Sequence, residues 1–380
     1  MAASLWGAAV VVPACGRRQR RNRPRCDPPL VSDTAHPLLP AATPLLRRGV
    51  DSLQIGGVDS TDGLLVTPHP DGLAGLLRGL DGRRVQRAVL ADAARQGLDP
   101  GAVSAVLDGL RATRVLVDVD AADLVASDAG PAAAARRAAE APPAGGWRAR
   151  RSAVVLVEGA TRVGTPLAAV LAASGVGRVS VRDSAVVSAG DAVVGGATAA
   201  DEGRPRSLAA ADAVRRASPL TDLRPVPEGT RPDLVVLARP WAASDPAAAA
   251  WARAGVPHLV ATVRGATGVV GPLVVPGVTS CLRCADLHRR DADPRWPHLA
   301  AQLTATEPPP SGATVTCLLT AVTAAVQVLA YLDGDAAPVT LDATLDIAPP
   351  DLVPRRRPWP SHPDCGCVRR VDEATGDNGP

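Results

Sequence analysis

Short apolar runs broken by glycine open the readable part of the chain: Leu45-Leu46-Arg47, Ser52-Leu53-Gln54-Ile55 and Gly63-Leu64-Leu65-Val66, with Gly49 and Gly56-Gly57 as punctuation. Runs of this length between turn residues predict strands. From Leu73 onward the spacing becomes helical. Leu73, Leu76, Leu77 and Leu80 share one face behind a capping Asp71, and a second helix is predicted from Arg84 to Gln96. A third follows Asp99-Pro100, with Val103, Val106, Leu107 and Leu110 aligned, and Arg114 to Val119 reads as a closing strand. Strands, three helices and a wing predict a small winged-helix module over residues 37–120.

Residues 121–150 are rich in Ala, Pro, Gly and charge, which predicts a linker with a helical piece. Residues 151–370 carry a different pattern. Ser152 to Glu158 is a continuous apolar strand, Gly159 to Gly164 a turn, Pro166 to Ala173 a helix, and Arg178 to Arg182 the next strand. That order is a βαβ unit of a mostly parallel, Rossmann-type α/β sheet. The strand signal returns at Asp233 to Leu237 and at His258 to Ala261. Ala313 to Leu332 is an apolar helical pattern in which Cys317 reads as a core residue. Residues 1–36 and 371–380 are expected to be disordered ends. No stretch is read as a membrane span, so no membrane is expected among the partners.

Composition narrows the chemistry. Arginine and lysine together number 41 against 38 acids, a net +3, so overall charge gives no reason to expect nucleic acid as a partner. Every basic residue among these is arginine, which excludes a catalytic or phosphate-binding lysine. The 7 cysteines do not make an even disulfide framework, and four of them fall in two close pairs, Cys281-x-x-Cys284 and Cys365-x-Cys367. Thiolates so spaced suit a closed, tetrahedral, structural zinc site in a reducing cytosol, which predicts a cytoplasmic protein. His362 or Asp364 is the expected substitute if one ligand is not a cysteine.

The turn after the first strand of residues 151–370 supplies the other candidate site. Gly159 and Gly164 keep the first and last positions of a dinucleotide fingerprint, and Thr161 replaces the middle glycine. Asp183 stands about 20 residues on, where a carboxylate accepts from ribose hydroxyls.

These residues, with Gly203-Arg204-Pro205-Arg206 and Gly268-Val269-Val270-Gly271-Pro272 running to the first cysteine pair, resemble the ThiF/MoeB group of E1-like adenylyltransferases. The resemblance implies ATP and magnesium acting on a peptide carboxylate, with Asp183 as the ribose acid and Arg206 in place of the family's lysine. It also implies a magnesium-binding Asp after the strand Asp233 to Leu237. Ala238-Arg239-Pro240-Trp241 offers none, and Asp245 is the nearest acid. The loop Thr304 to Gly312 lacks the cysteine that would carry covalent transfer.

The amino-terminal module resembles the PqqD-like element that recognises leader peptides. This implies strand addition along Leu64 to Val66, beside a groove lined by Val103, Leu107 and Leu110. Together the halves resemble the actinobacterial ThiF-like partner proteins of azoline-forming cyclodehydratases. The implied function is a zinc-stapled homodimeric scaffold that presents a precursor peptide to an ATP-dependent YcaO enzyme. The alternatives are an active E1-like adenylyltransferase and a winged-helix DNA-binding regulator. The last suits poorly a third helix with few exposed basic residues.

Overall fold

The computed structural model describes residues 9–11, 34–57, 63–119, 146–218, 221–227, 229–241, 248–305 and 308–367. The chain divides into two units, Met1–Arg148 and Ala149–Pro380.

In the first unit, β3 (Leu45–Arg47), β4 (Leu53–Ile55) and β5 (Leu64–Thr67) form an antiparallel meander, with Leu53 opposite Val66 and Ile55 opposite Leu64. Strand period two turns Leu64 and Val66 inward together. They meet helices α1 (Leu73–Arg78), α2 (Gln86–Arg95) and α3 (Pro100–Ala112) in one core. Asp99 caps α3 by accepting from the Gly101 amide at 3.1 Å. Arg111, the basic residue of its last turn, is engaged by Asp108, Asp118 and Gln86. Strands β2 (His36–Leu38) and β6 (Val117–Val119) pair antiparallel, joining the segment before β3 to the one after α3.

Two expectations for this unit are corrected. Leu64, Val66, Val103, Leu107 and Leu110, read as the walls of a peptide groove, are at most 2 % exposed and make the unit's own core. Apolar side chains on the inner faces of a sheet and its covering helix satisfy one another, so none is left for a ligand. The free edge of β5 is also occupied: β1 (Ala9–Val11) lies along it in parallel, Val10 opposite Val66. Part of the segment expected to be disordered is therefore a strand. Residues 1–8 and 12–33, most of the linker and residues 371–380 lie outside the described residues.

The second unit is built on a seven-stranded sheet. Strands β7 (Val154–Glu158), β8 (Arg178–Arg182), β9 (Leu234–Leu237) and β10 (His258–Arg264) run parallel in the order β8-β7-β9-β10. Strands β11 (Thr267–Val274), β12 (Ala343–Ile347) and β13 (Arg355–Pro358) extend it antiparallel, so the sheet is mixed beyond β10. Chain order reverses between β8 and β9, on either side of β7. Such a switch point opens a crevice beyond the carboxyl ends of the strands.

Helices cover both faces, which is why the parallel strands read as unbroken apolar runs. On one face α5 (Gly164–Ala173), α6 (Arg206–Ala217) and α10 (Thr314–Asp333) contribute Leu167, Leu171, Val214, Ala321, Ala324 and Val328 to the core with Val155, Val157 and Val236. On the other, Leu156, Val235, Leu237 and Val260 pack with Val256 and Leu282. The 20 residues of α10 are long and apolar enough to cross a membrane, which the sequence reading overlooked. Cys317, Ala321, Ala324, Ala325 and Val328 are nonetheless fully or almost fully buried along it, so its apolarity serves the sheet.

The short helix α4 (Gly146–Ser152) ends beside the carboxyl end of α10. There Arg150 grips Asp333 bidentately, Nε to Oδ1 at 2.7 Å and Nη2 to Oδ2 at 2.6 Å. A further N–H of Arg150 donates to the Ser174 carbonyl at 3.2 Å. An acid in the last turn of a helix opposes the macrodipole, and the guanidinium neutralises it.

His258 is buried in β10, its Nδ1 donating to the Val256 carbonyl at 2.9 Å. Burial holds its pKa below the ordinary value of about 6.5. The unfolded chain therefore takes up a proton first as pH falls. The stability due to neutral His258 is complete above about pH 6.5 and is lost below it, at up to about 1.4 kcal/mol per pH unit. Denaturant titrations at pH 7 and pH 5 should show this loss, and His258→Gln should flatten it.

Candidate functional site

At the switch point the turn after β7 keeps its glycines for steric reasons. Gly159 has φ +109°, and a Cβ there would fall 2.7 Å from Arg239 Cγ. A Cβ on Gly164 would lie 2.0 Å from the Gly159 carbonyl oxygen. Between them, Thr161 alters what the turn offers a ligand. Its hydroxyl donates to the Ala238 carbonyl at 3.1 Å and accepts from the amides of Val163 at 3.3 Å and Gly164 at 3.1 Å. Amides at a helix start are the donors that hold a pyrophosphate, and here a side chain already uses them.

Asp183 reaches the same turn. Its two oxygens accept from the amides of Ala160 at 2.8 Å and Ala185 at 2.9 Å, and its side chain is 4 % exposed. The carboxylate thus ties β8 to the glycine turn. Arg206, at the start of α6, lies 3.9 Å from it but is bound more closely to Asp191. Nε and Nη2 of Arg206 donate to one oxygen of Asp191 at 3.2 and 3.1 Å, and that oxygen also accepts from the amide and hydroxyl of Ser188. The guanidinium is thereby neutralised inside the protein. Beyond β9, Ala238 to Trp241 bring no carboxylate to the cleft, and Asp245 lies outside the described residues.

Thr161, Arg162, Asp191, Arg206, Pro240 and Thr262 line a cleft of about 380 Å³, with Pro308, Pro310 and Cys317 closing it. Arg162, from inside the glycine turn, donates to the Gly312 carbonyl at 2.6 Å and to the Thr314 hydroxyl at 2.8 Å, holding the proline loop over the opening. Cys317 sits both in the core and at the base of the cleft, and burial pushes its thiol up. Sequence reasoning missed Arg162 and Asp191. The sign of the second was Ser188-x-x-Asp191, a capping-box spacing.

The four paired cysteines do come together. Cys281 precedes α8 (Leu282–Ala292), Cys284 is buried in its first turn, and Cys365 and Cys367 follow β13. All four sulfurs lie within 4.8 Å of one another, with Cys281 to Cys365 at 3.6 Å, Cys284 to Cys367 at 3.3 Å and Cys281 to Cys284 at 3.9 Å. A tetrahedron of thiolates with metal–sulfur bonds of about 2.3 Å has edges of about 3.8 Å, so the donor set fits one metal ion. Burial pushes the Cys281 thiol up to about 11 and raises Cys367 as well. A bound cation is what would make thiolates of them.

His362 is not a fourth ligand. Its Nδ1 accepts from the Asp364 amide at 3.1 Å, which leaves Nε2 to donate to Asp291 at 2.7 Å. Asp364 pairs with Arg290 at 3.2 Å. Both stand around the cysteines rather than among them.

A mixed, mainly parallel sheet with a glycine turn at its switch point and a four-cysteine clasp beside its antiparallel extension defines an E1-like α/β protein. Residues 135–367 match the ThiF family, and the chain belongs to that family. Similar solved structures include Escherichia coli MccB with ATP, at a TM-score of 0.61 and 14% identity over 87% of this chain and 99% of that one. The microcin C7 biosynthetic enzyme MccB in complex with N-formylated MccA aligns at 0.60 and 14%, with the same coverage. The heterocyclase TruD aligns at 0.54 and 14%, over 88% of this chain but 43% of its own. At such identities the likeness is one of fold. No curated protein matches the chain in sequence.

Proposed function

We propose that this chain is a ThiF-family scaffold that binds a precursor peptide and presents it to a YcaO-type, ATP-using cyclodehydratase in the cytoplasm. One observation carries the reading: the groups that would hold a nucleotide are occupied by the protein itself. Thr161 takes the amides of Val163 and Gly164, and Asp191 takes the guanidinium of Arg206. No acid follows β9 within Ala238 to Trp241, so magnesium has no anchor there.

Supporting it, the fold is shared with MccB in complex with N-formylated MccA and with the heterocyclase TruD. In this reading zinc, held by Cys281, Cys284, Cys365 and Cys367, supplies rigidity. The first unit recognises the leader, by residues other than its core side chains. A homodimer would cover Val322 and Val326 of α10, which are 48% and 55% exposed.

The test couples two assays. ATP–pyrophosphate exchange by the purified chain should stay at background with any candidate carrier or precursor peptide. Azoline formation by a YcaO enzyme encoded beside it should fall to background when the chain is omitted. Exchange that disappears in Asp183→Asn would overturn the scaffold reading.

A second reading, adenylylation of a peptide carboxylate, is favoured by Asp191, a carboxylate on the cleft wall. There it would leave Arg206 and hold magnesium, with Asp183 on the ribose. Asp191→Asn separates the two readings: it would abolish exchange in an adenylyltransferase and spare azoline formation in a scaffold that folds.

A further inference from the structure

The chain uses aromatic residues sparingly: it has no Phe, 1 Tyr and 6 Trp. Trp241, Trp296 and Trp359 come from separate parts of the second unit, yet two arginines connect them. The Arg264 guanidinium carbon stands 4.4 Å from the centroid of the Trp241 ring. That of Arg289 lies 5.1 Å from Trp296 and 4.9 Å from Trp359. Trp241 and Trp296 face each other at 6.4 Å, tilted by 52°. Guanidinium stacking on indole holds the planar fork in one orientation.

The charges in this cluster are not evenly matched. Asp286 accepts from Arg289 at 2.9 Å and from the Trp296 indole at 3.1 Å. Asp346 is taken by Arg357. Arg264 has no ion pair with any described carboxylate, and its Nε is buried without a hydrogen-bond partner. Burial, and then repulsion from Arg289, pull its pKa down to about 10, against the weaker attraction of Asp286 and Asp346. It remains a cation at neutral pH. A half-buried cation with a buried, unsatisfied Nε and no carboxylate partner is costly to keep, and the Trp241 face offsets only part of that cost.

Two further features place a ligand here. Trp241 has φ +61°, in the left-handed region, which is strained for a bulky side chain. Strain of this kind persists where surrounding structure holds a side chain for use. Pro240 and Val263, the chain neighbours of Trp241 and Arg264, line the cleft with Thr262 at the carboxyl ends of β9 and β10.

We propose that Arg264, stacked on Trp241 and flanked by Arg289, is a carboxylate-binding site at the edge of the cleft that takes an acidic group of a bound peptide. The assignment of a peptide as the source rests on the function proposed above; the site itself rests on the unpaired guanidinium. A carboxylate accepts two parallel N–H bonds from a guanidinium fork, and the indole face keeps that fork presented. Either an Asp or Glu side chain or a peptide C-terminus supplies the group.

The test uses the full chain, with sodium acetate as probe against sodium chloride at equal ionic strength. Acetate should change tryptophan emission saturably and raise the thermal midpoint of the wild-type chain. Arg264→Met should abolish both responses with a midpoint no lower than wild type, because it removes an unneutralised charge. Arg264→Lys, which keeps charge without the fork, should weaken the response at least tenfold. Identical behaviour in acetate and chloride, a response to inorganic phosphate but not to acetate, or an Arg264→Met chain that still responds would each overturn the site. So would a destabilised Arg264→Met, which would make Arg264 a packing residue.

Two short peptides then identify the source. N-acetyl-Ala-Glu-Ala amide tests a side chain, and N-acetyl-Ala-Ala-Ala with a free carboxyl tests a C-terminus. Binding of either supports the site, and binding of neither to the acetate-responsive wild type overturns its peptide role. Loss of the acetate response with azoline formation intact removes this inference alone. An acetate response in a chain without scaffold activity removes only the function proposed above.

Discussion

Replacing Cys284 with Ala is expected to abolish metal binding at the four-cysteine site and cost the second unit at least about 3 kcal/mol of stability. Cys284 is fully buried at the start of α8, and its sulfur faces Cys367 at 3.3 Å. Zinc binding to such four-thiolate sites contributes about 10–16 kcal/mol in small zinc-finger peptides, where metal binding and folding are one event. Here the larger apolar core around β7 and β9 contains none of the four cysteines, so a loss well below that is expected. What a metal there would join is local: the start of α8 and the segment after β13, which the chain itself links only through a long excursion. Metal analysis should find one zinc per wild-type chain and none in Cys284→Ala, and denaturant unfolding should measure the difference. No zinc in the wild type and equal stability of the two proteins would sink the site.

Asp333→Ala is expected to destabilise the second unit by about 3–5 kcal/mol, because it takes from a buried guanidinium its bidentate carboxylate. The two side chains are 8% and 9% exposed, so solvent screens the pair little. The Ser174 carbonyl also accepts from Arg150 but carries no charge. Replacing both partners, Arg150→Met with Asp333→Leu, removes the charge and its counterion together and should recover most of the loss. Urea unfolding of the three variants completes the cycle. An Asp333→Ala chain within 1 kcal/mol of wild type, a small value by the standard of buried pairs, would show that water reaches Arg150.

Local pattern made much of this protein legible. The βαβ unit of residues 151–182 was readable because its first strand ends at Gly159, its second begins after Gly177 and its helix lies between them, so each signal is contained within a few residues. The four cysteines were readable because two pairs at such close spacing match the ligand pattern of a metal site. Side chains that lie far apart in the chain were not. Nothing in the string announces that Asp191 would take Arg206, that Arg162 would hold Gly312, or that Arg264 would meet Trp241. Each contact depends on how strands and loops are brought side by side.

The first unit shows the same limit from the other direction. Leu64, Val66, Val103, Leu107 and Leu110 are equally apolar whether they line a groove or fill a core, and only packing decides between the two. The strand pairing of Ala9–Val11 with β5 was illegible for a related reason: three residues of backbone hydrogen bonding leave little mark on the sequence.

By itself, then, the sequence determined a glycine turn after a buried strand, a parallel α/β unit built on it, and two cysteine pairs suited to a metal. Periodicity and spacing are local properties that survive without a third dimension. Only the tertiary structure decided that the turn's amides are taken by Thr161, that Arg206 is neutralised by Asp191, and that the half-buried Arg264 is left with a tryptophan and no ion-paired acid. Which donor meets which acceptor is settled by distance in space, and there the order of residues along the chain has little say.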